Sequence, residues 1–148
     1  MQEDDSLKLS NQLCFPLYAA ARKIVAAYAP FLKEIHLTYT QYVTMMVLWE
    51  KREISVKDLG ATLYLDSGTL TPLLKKLEKE GLIVRRRSHE DERIVIVDLS
   101  EKGEALKEKA TKIPCQMAGL LTEKGAFLSA EEVEKLKSVL YEIIERLH

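Results

Sequence analysis

Cysteine is nearly absent: Cys14 and Cys115 are the only two in 148 residues, too few to staple a scaffold with disulfides. They do not form a thioredoxin-type C-x-x-C pair either. Long apolar runs are missing, and nothing approaches the roughly 20 apolar residues of a membrane span. The opening MQEDDSLKLS is acidic where a secretory signal is basic and then apolar. A cytoplasmic protein is therefore expected, with both thiols reduced at rest. Histidine is scarce and scattered (His36, His89, His148), so no metal-ligand spacing emerges, and His89 beside Glu90 reads as a solvated turn. No repeat or low-complexity segment interrupts the chain. What remains is 47% hydrophobic and 30% charged, ordinary for a globular protein of one domain, residues 1–148, with a core of its own.

Net charge is only −1, but it is unevenly spread. From Asp66 to Arg87, six basic residues (Lys75, Lys76, Lys79, Arg85, Arg86, Arg87) face three acids (Asp66, Glu78, Glu80), a local excess of +3. Acids gather in the first five residues and from Glu131 to Glu145. A locally basic segment in a near-neutral chain suits a binder that must let go of DNA, because phosphate contacts are strong but salt-sensitive.

Periodicity supplies the elements. After a polar tail to about residue 6, a helix is expected from Leu7 to about Ala29. It carries one apolar stripe at Leu13, Leu17, Ala20, Ile24 and Ala27, and a second at Tyr18, Ala21, Val25 and Tyr28. Two stripes suggest packing on its own domain and on a partner; the plain alternative is a monomeric helical core. Pro30 falls just past its end, and Pro16 introduces a kink if Cys14 is already helical. A second helix spans Thr38–Trp49, capped by Thr38 or Thr40, with Tyr42, Val43, Met46, Val47 and Trp49 inward. Arg52–Ser55 connects, with Ile54 in a small strand, and Ser55 caps a short helix to Leu63. A further helix runs from about Ser67 to Glu80 over Leu70, Leu73, Leu74 and Leu77. Strands follow at about Leu82–Arg87 and Ile94–Leu99. Ser100 starts a long helix that bends at Pro114 and ends near Leu121; Gly125 and Leu128 belong to a connection. Ser129 caps a last helix with Val133, Leu136, Leu140, Ile143 and Leu147 in one stripe. The fold class is mainly α (α+β): a winged helix-turn-helix between long amino- and carboxy-terminal dimerisation helices. The DNA-binding lobe is expected at about 38–99 and the dimerisation region at about 7–36 and 100–148.

Chemistry concentrates between Leu65 and Leu99. Ser67, Thr69 and Thr71 are small hydroxyl residues at a helix start, able to donate to phosphate or meet base edges. Thr71-Pro72 offers a methyl and an apolar ring to a thymine methyl, and Lys75 and Lys76 suit phosphates. Each feature has a plainer explanation: a cap, a solvated face, and in Arg85-Arg86-Arg87 a charged edge strand. Their occurrence in consecutive elements after a helix-turn-helix favours double-stranded DNA, the helix in the major groove and the hairpin toward the minor. At the hairpin tip, Asp91 can orient Arg93 two residues on, and a narrow minor groove attracts arginine.

The LDSGTLTPLLKKLEKEGL block (Leu65–Leu82) and the Asp91-x-Arg93 tip resemble MarR-family winged-helix regulators. The QLCFPLY segment (Gln12–Tyr18) and LTYTQY segment (Leu37–Tyr42) resemble its organic-hydroperoxide-sensing branch, the OhrR-like repressors. The resemblance spans essentially the whole chain. It implies a homodimer on a pseudo-palindromic operator, joined through its first and last helices, with no cofactor, no metal and no enzymatic turnover. It also implies that Cys14 is the peroxide-reactive thiol, with Tyr28 and Tyr39 hydrogen-bonding the thiolate and Tyr18 one helical turn away. Only a thiolate attacks a peroxide oxygen, and apolar neighbours Leu13, Phe15 and Leu17 favour an organic hydroperoxide. The family divides between members whose sulfenic acid meets a small thiol and members with a second cysteine. Cys115 makes an intersubunit Cys14–Cys115 disulfide the expectation here, against a passive thiol beside Pro114. The alternative function is a MarR-type repressor gated by a small phenolic ligand. A thiol peroxidase is the reading from another class, weakened by the missing C-x-x-C.

Overall fold

The computed structural model describes residues 5–122, 125 and 127–148; the first four residues of the expected polar tail lie outside them. The chain divides into two compact units, Met1–Ile113 and Pro114–His148.

In the first unit, helix α1 is Cys14–Lys33, seven residues later at its start than the periodicity predicts. Pro16 is the reason. A helical proline clashes with the carbonyl four residues back, here Gln12, and Gln12 is extended (ψ 124°) after a 3-10 turn at Leu9–Asn11. Starting at Cys14 puts Pro16 in the first turn, where its missing N–H had no partner to lose. At the other end α1 runs through Pro30 to Lys33, because Leu32, Ile35 and Leu37 are anchored in the core. Leu32 is 2% exposed. By contrast Leu13, Tyr18, Ile24 and Val25, from the expected stripes, are exposed in the single chain.

Helix α2, Tyr39–Lys51, opens on a capping box: the Thr38 hydroxyl accepts from the Gln41 amide, and Gln41 Oε1 accepts from the Thr38 amide. Tyr42, Met45, Leu48 and Trp49 are buried. Met46, expected inward, is exposed: one turn on from Tyr42 it lies at the flank of the buried 42–45–49 row, past the edge of the core. Strand β1 (Glu53–Ser55) leads into α3 (Val56–Leu63), capped by Ser55. A turn through Tyr64, in the left-handed region at φ 54°, delivers α4, Ser67–Lys79. Asp66 is its cap, with Oδ1 accepting from the Thr69 amide at 2.7 Å, so Ser67 and Thr69 are left to other tasks.

Strands β2 (Ile83–Arg87) and β3 (Val95–Leu99) complete an antiparallel sheet in the order β1-β3-β2. Arg85 pairs with Val97 and Arg86 with Ile96, so Ile83, Arg85 and Val97 share one face and Val84, Arg86 and Asp98 the other. The expected single helix after Ser100 is two, α5 (Glu101–Ala110) and α6 (Ile113–Leu121). Pro114 cannot donate to the Ala110 carbonyl and would collide with it, so the chain turns at Thr111–Lys112. Gly103, in the first turn of α5, receives the Trp49 indole N–H on its carbonyl at 2.8 Å. A Cβ there would lie 2.3 Å from the Leu82 carbonyl oxygen, closer than real atoms approach. Leu59, Leu70, Leu74, Leu77, Ile83 and Val97 form the middle of this core.

The second unit holds α6 and α7 (Ala130–Arg146), the latter opened by a Ser129–Glu132 capping box. No residue of α7 is buried, and Val133, Leu136, Val139 and Tyr141 are exposed. No helix among the described residues is long and apolar enough to cross a membrane, and no His/Cys/Asp/Glu group among them could hold a metal ion.

Candidate nucleic-acid interface and thiol site

Helix α4 has two faces. Leu70, Leu73, Leu74 and Leu77 are buried, while Ser67, Thr69, Pro72, Lys75 and Lys76 are exposed and Thr71 is half-buried. Five of the six expected contact residues of this helix are therefore exposed, and Thr71 lies at the edge of the buried face. Pro72 has no N–H to give the Gly68 carbonyl, which lies at an exposed position.

The three consecutive arginines of β2 have three fates. Strand alternation sends Arg85 toward α4, where its amide donates to Glu78 Oε2 at 2.9 Å and its guanidinium to Glu78 Oε1 at 3.0 Å. Arg86 points the other way and bridges Asp98 Oδ2 (2.6 Å) and Glu53 Oε2 (3.0 Å), lying across all three strands. Of the three arginines expected to face DNA, Arg85 and Arg86 are half-buried and held by carboxylates, and Arg87 is exposed, donating to the Glu92 carbonyl. In the sequence Glu78, Glu53 and Asp98 count only as charges. The available signal was Glu78 seven residues before Arg85, across a glycine turn. Hydrogen bonds from the Arg85 side chain and amide hold the Glu78 carboxyl below the usual carboxylate range.

At the wing tip Arg93 is oriented as expected. Its Nε and NH2 donate to the two oxygens of Asp91 at 3.1 Å each, and its amide to Asp91 Oδ1 at 3.0 Å. The Arg93 side chain remains 90% exposed. The Arg93 side chain, then its amide, push the Asp91 carboxyl down. The clasp is present above that lowered value and lost as pH falls through it. Contacts that depend on Arg93 are therefore expected to change little between about pH 5 and 8, measurable by DNA titration at several pH values.

Cys14 is the first residue of α1 and is exposed, as are its neighbours Leu13 and Phe15. Cys115 lies in α6, in the other unit, and is also exposed. The tyrosines separate into two places. Tyr18 is exposed, with the Arg22 guanidinium 5.3 Å above its ring. The Tyr28 and Tyr39 rings meet at 5.0 Å, tilted by 53°, with Tyr42 beside them at 6.0 and 6.5 Å. Burial, then the neighbouring Tyr39, push the Tyr28 hydroxyl up; burial chiefly does the same to Tyr42. Tyr28 is on the same helix as Cys14, which at 1.5 Å per residue puts it about 21 Å away along the axis. One chain therefore does not bring the Tyr28–Tyr39 pair to the Cys14 sulfur, as the sequence expectation taken within a protomer requires.

Comparisons with known proteins agree with this architecture. The family described as "Transcriptional regulator SarA/Rot" matches residues 26–110. The organic hydroperoxide resistance transcriptional regulator of Bacillus subtilis is 49% identical over 97% of this chain and 95% of its own length. Reduced AbfR bound to DNA, from a protein of Staphylococcus epidermidis, superposes with a TM-score of 0.78 at 30% identity, over 97% of each chain. Disulfide-formed AbfR gives 0.66 at 30% identity, over 95% of this chain and 96% of that one. The chain is a transcriptional regulator of the SarA/Rot family, a MarR-type winged-helix protein of the organic-hydroperoxide-resistance, OhrR-like branch.

Proposed function

We propose that the protein is a homodimeric repressor that holds a pseudo-palindromic operator while Cys14 is reduced and releases it when an organic hydroperoxide oxidises that thiol. The exposed face of α4 supplies the major-groove contacts. Ser67, Thr69, Thr71 and Pro72 meet bases and backbone, and Lys75 and Lys76 meet phosphates. Arg93, aimed by Asp91, enters the minor groove, with Arg87 at its flank. The names of the Bacillus subtilis relative and of the DNA-bound AbfR structure support this reading.

The observation that carries the redox part is the setting of Cys14: an exposed thiol between exposed Leu13 and Phe15, on a helix whose Tyr18, Ile24 and Val25 also lack cover in the single chain. A second copy laid along α1 supplies that cover. It also supplies the tyrosine pair, since Tyr28 and Tyr39 reach the thiol only from the other subunit. The Cys14 thiolate attacks the terminal peroxide oxygen, the O–O bond breaks, and the alkoxide takes a proton and leaves as an alcohol. The sulfenic acid then meets the Cys115 thiol of the second copy, the S–S bond forms and water leaves. The disulfide-formed state of AbfR supports a bond of this kind. Linking the dimer helices alters the spacing of the two α4 helices, and a few lost phosphate contacts suffice for release at cellular salt.

DNA binding to the promoter upstream of the protein's own gene, with and without cumene hydroperoxide, tests this. Wild type should bind and release; Cys14→Ser should bind and stay. A Cys14→Ser protein that still releases on hydroperoxide overturns the thiol gate. Response to a phenolic compound alone would identify the ligand-gated alternative. On a non-reducing gel, oxidised wild type should run as a covalent dimer and Cys115→Ser as a monomer. A dimer band surviving in Cys115→Ser overturns the pairing.

A further inference from the structure

Strand β2 is an edge strand. The Ser88 amide donates to the Ile94 carbonyl at 2.8 Å and the Ser100 amide to the Leu82 carbonyl at 3.1 Å. With the register of β2 on β3, even-numbered residues of β2 bond to β3 and odd-numbered amides point out of the sheet. The Arg85 N–H is such an outward donor, and the Glu78 carboxylate covers it while gripping the same residue's guanidinium. Only Glu80, Gly81 and Leu82 join α4 to β2, through Gly81 at φ 76°. Across this short left-handed turn, one carboxylate on the helix makes two bonds to one residue of the strand.

We propose that Glu78 is a positioning residue: by accepting two hydrogen bonds from Arg85 it fixes the wing to the recognition helix, so that major-groove and minor-groove readers dock together. This rests on the DNA-binding reading above. Without the clasp, α4 still enters the major groove, but the wing loses its angle and Arg93 no longer finds the minor groove at the same moment. Glu78 itself touches no DNA. Leu77 and Leu82, buried on either side of the turn, keep the helix and strand packed when the clasp is removed.

A double-mutant cycle separates this from a merely stabilising ion pair. Binding of a fluorescein-labelled duplex from the upstream promoter is measured for wild type, Glu78→Ala, Arg93→Ala and the double variant, each first shown folded by circular dichroism. Each single change is expected to weaken binding about tenfold. If Glu78 acts by placing the wing, the double variant is weakened about tenfold as well, because Arg93 has nothing left to contribute. Losses that multiply to about a hundredfold overturn the proposal while leaving DNA binding intact. A wild-type protein that ignores the duplex overturns the DNA reading and this proposal with it. Exchange of the Arg85 amide hydrogen, slow in wild type, should speed up at least tenfold in Glu78→Ala. Unchanged exchange shows that the carboxylate does not hold the strand, and the proposal fails. Should Glu78→Ala not fold, Glu78→Gln, which keeps an acceptor but loses the charge, carries the same cycle.

Discussion

Arg93→Ala is expected to weaken binding to the upstream promoter about tenfold at fixed salt, the largest loss from any single wing residue. Its side chain is 90% exposed, so removing it leaves the fold untouched. Its two bonds to Asp91 fix the planar fork before DNA arrives, and pre-ordering a long side chain removes much of the entropy lost on binding. Asp91→Asn should give a smaller loss, because an amide can still accept one hydrogen bond but no longer pairs with the charge. Arg86→Ala is the matched control. It is an arginine of the same hairpin, but one held by Asp98 and Glu53, so its loss should change melting temperature more than DNA affinity. Fluorescence anisotropy measures the first effect and thermal unfolding the second. An Arg93→Ala protein within twofold of wild type would remove the wing from the interface.

Gly103→Ala is expected to lower stability by about 3 kcal/mol, a large effect for one methyl group. The added carbon would lie 2.3 Å from the Leu82 carbonyl oxygen and 2.8 Å from the Leu99 side chain. The leucine can move; the carbonyl belongs to backbone that accepts from the Ser100 amide. Relief therefore requires α5 to back away, and the Trp49 indole bond to the Gly103 carbonyl goes with it. For a chain of this size the melting temperature should fall by about 6 to 12 °C. A fall under 2 °C, followed by circular dichroism at 222 nm, would mean that α5 is not pinned at that point.

Much of this was legible in the sequence because local chemistry and global fold agree. The apolar row Leu70–Leu73–Leu74–Leu77 set the buried face of α4, and by elimination its polar face. Asp91 and Arg93 are two residues apart, so their pairing required no knowledge of tertiary structure. Ser55 and Ser129 announced their helices by side-chain caps. What escaped depends on contacts that periodicity does not encode. The start of α1 is decided by a clash between Pro16 and Gln12 that overrides a sound apolar stripe. The fates of Arg85 and Arg86 depend on which carboxylate stands opposite, and Glu53, the partner farthest away, comes from another element 33 residues back. The distance between Cys14 and Tyr28 follows from the helix rise alone, and it is what assigns the tyrosines to the second subunit in the proposed dimer. Naming the site residues one by one does not reveal it.

The amino end of α1 has one more consequence. Leu13, the residue before the helix, makes no side-chain bond to its first turn, and Pro16 has no amide hydrogen to contribute. Helix ends without such anchors open at almost no free energy. Cys14 thus sits at the loose end of an otherwise long rod. Peeling back one turn lengthens the tether that carries the sulfur by several ångströms, since extended chain covers about 3.3 Å per residue against 1.5 Å in a helix. On the proposed redox reading, an oxidised Cys14 reaches its partner by unravelling locally, well before any lobe of the protein has to move.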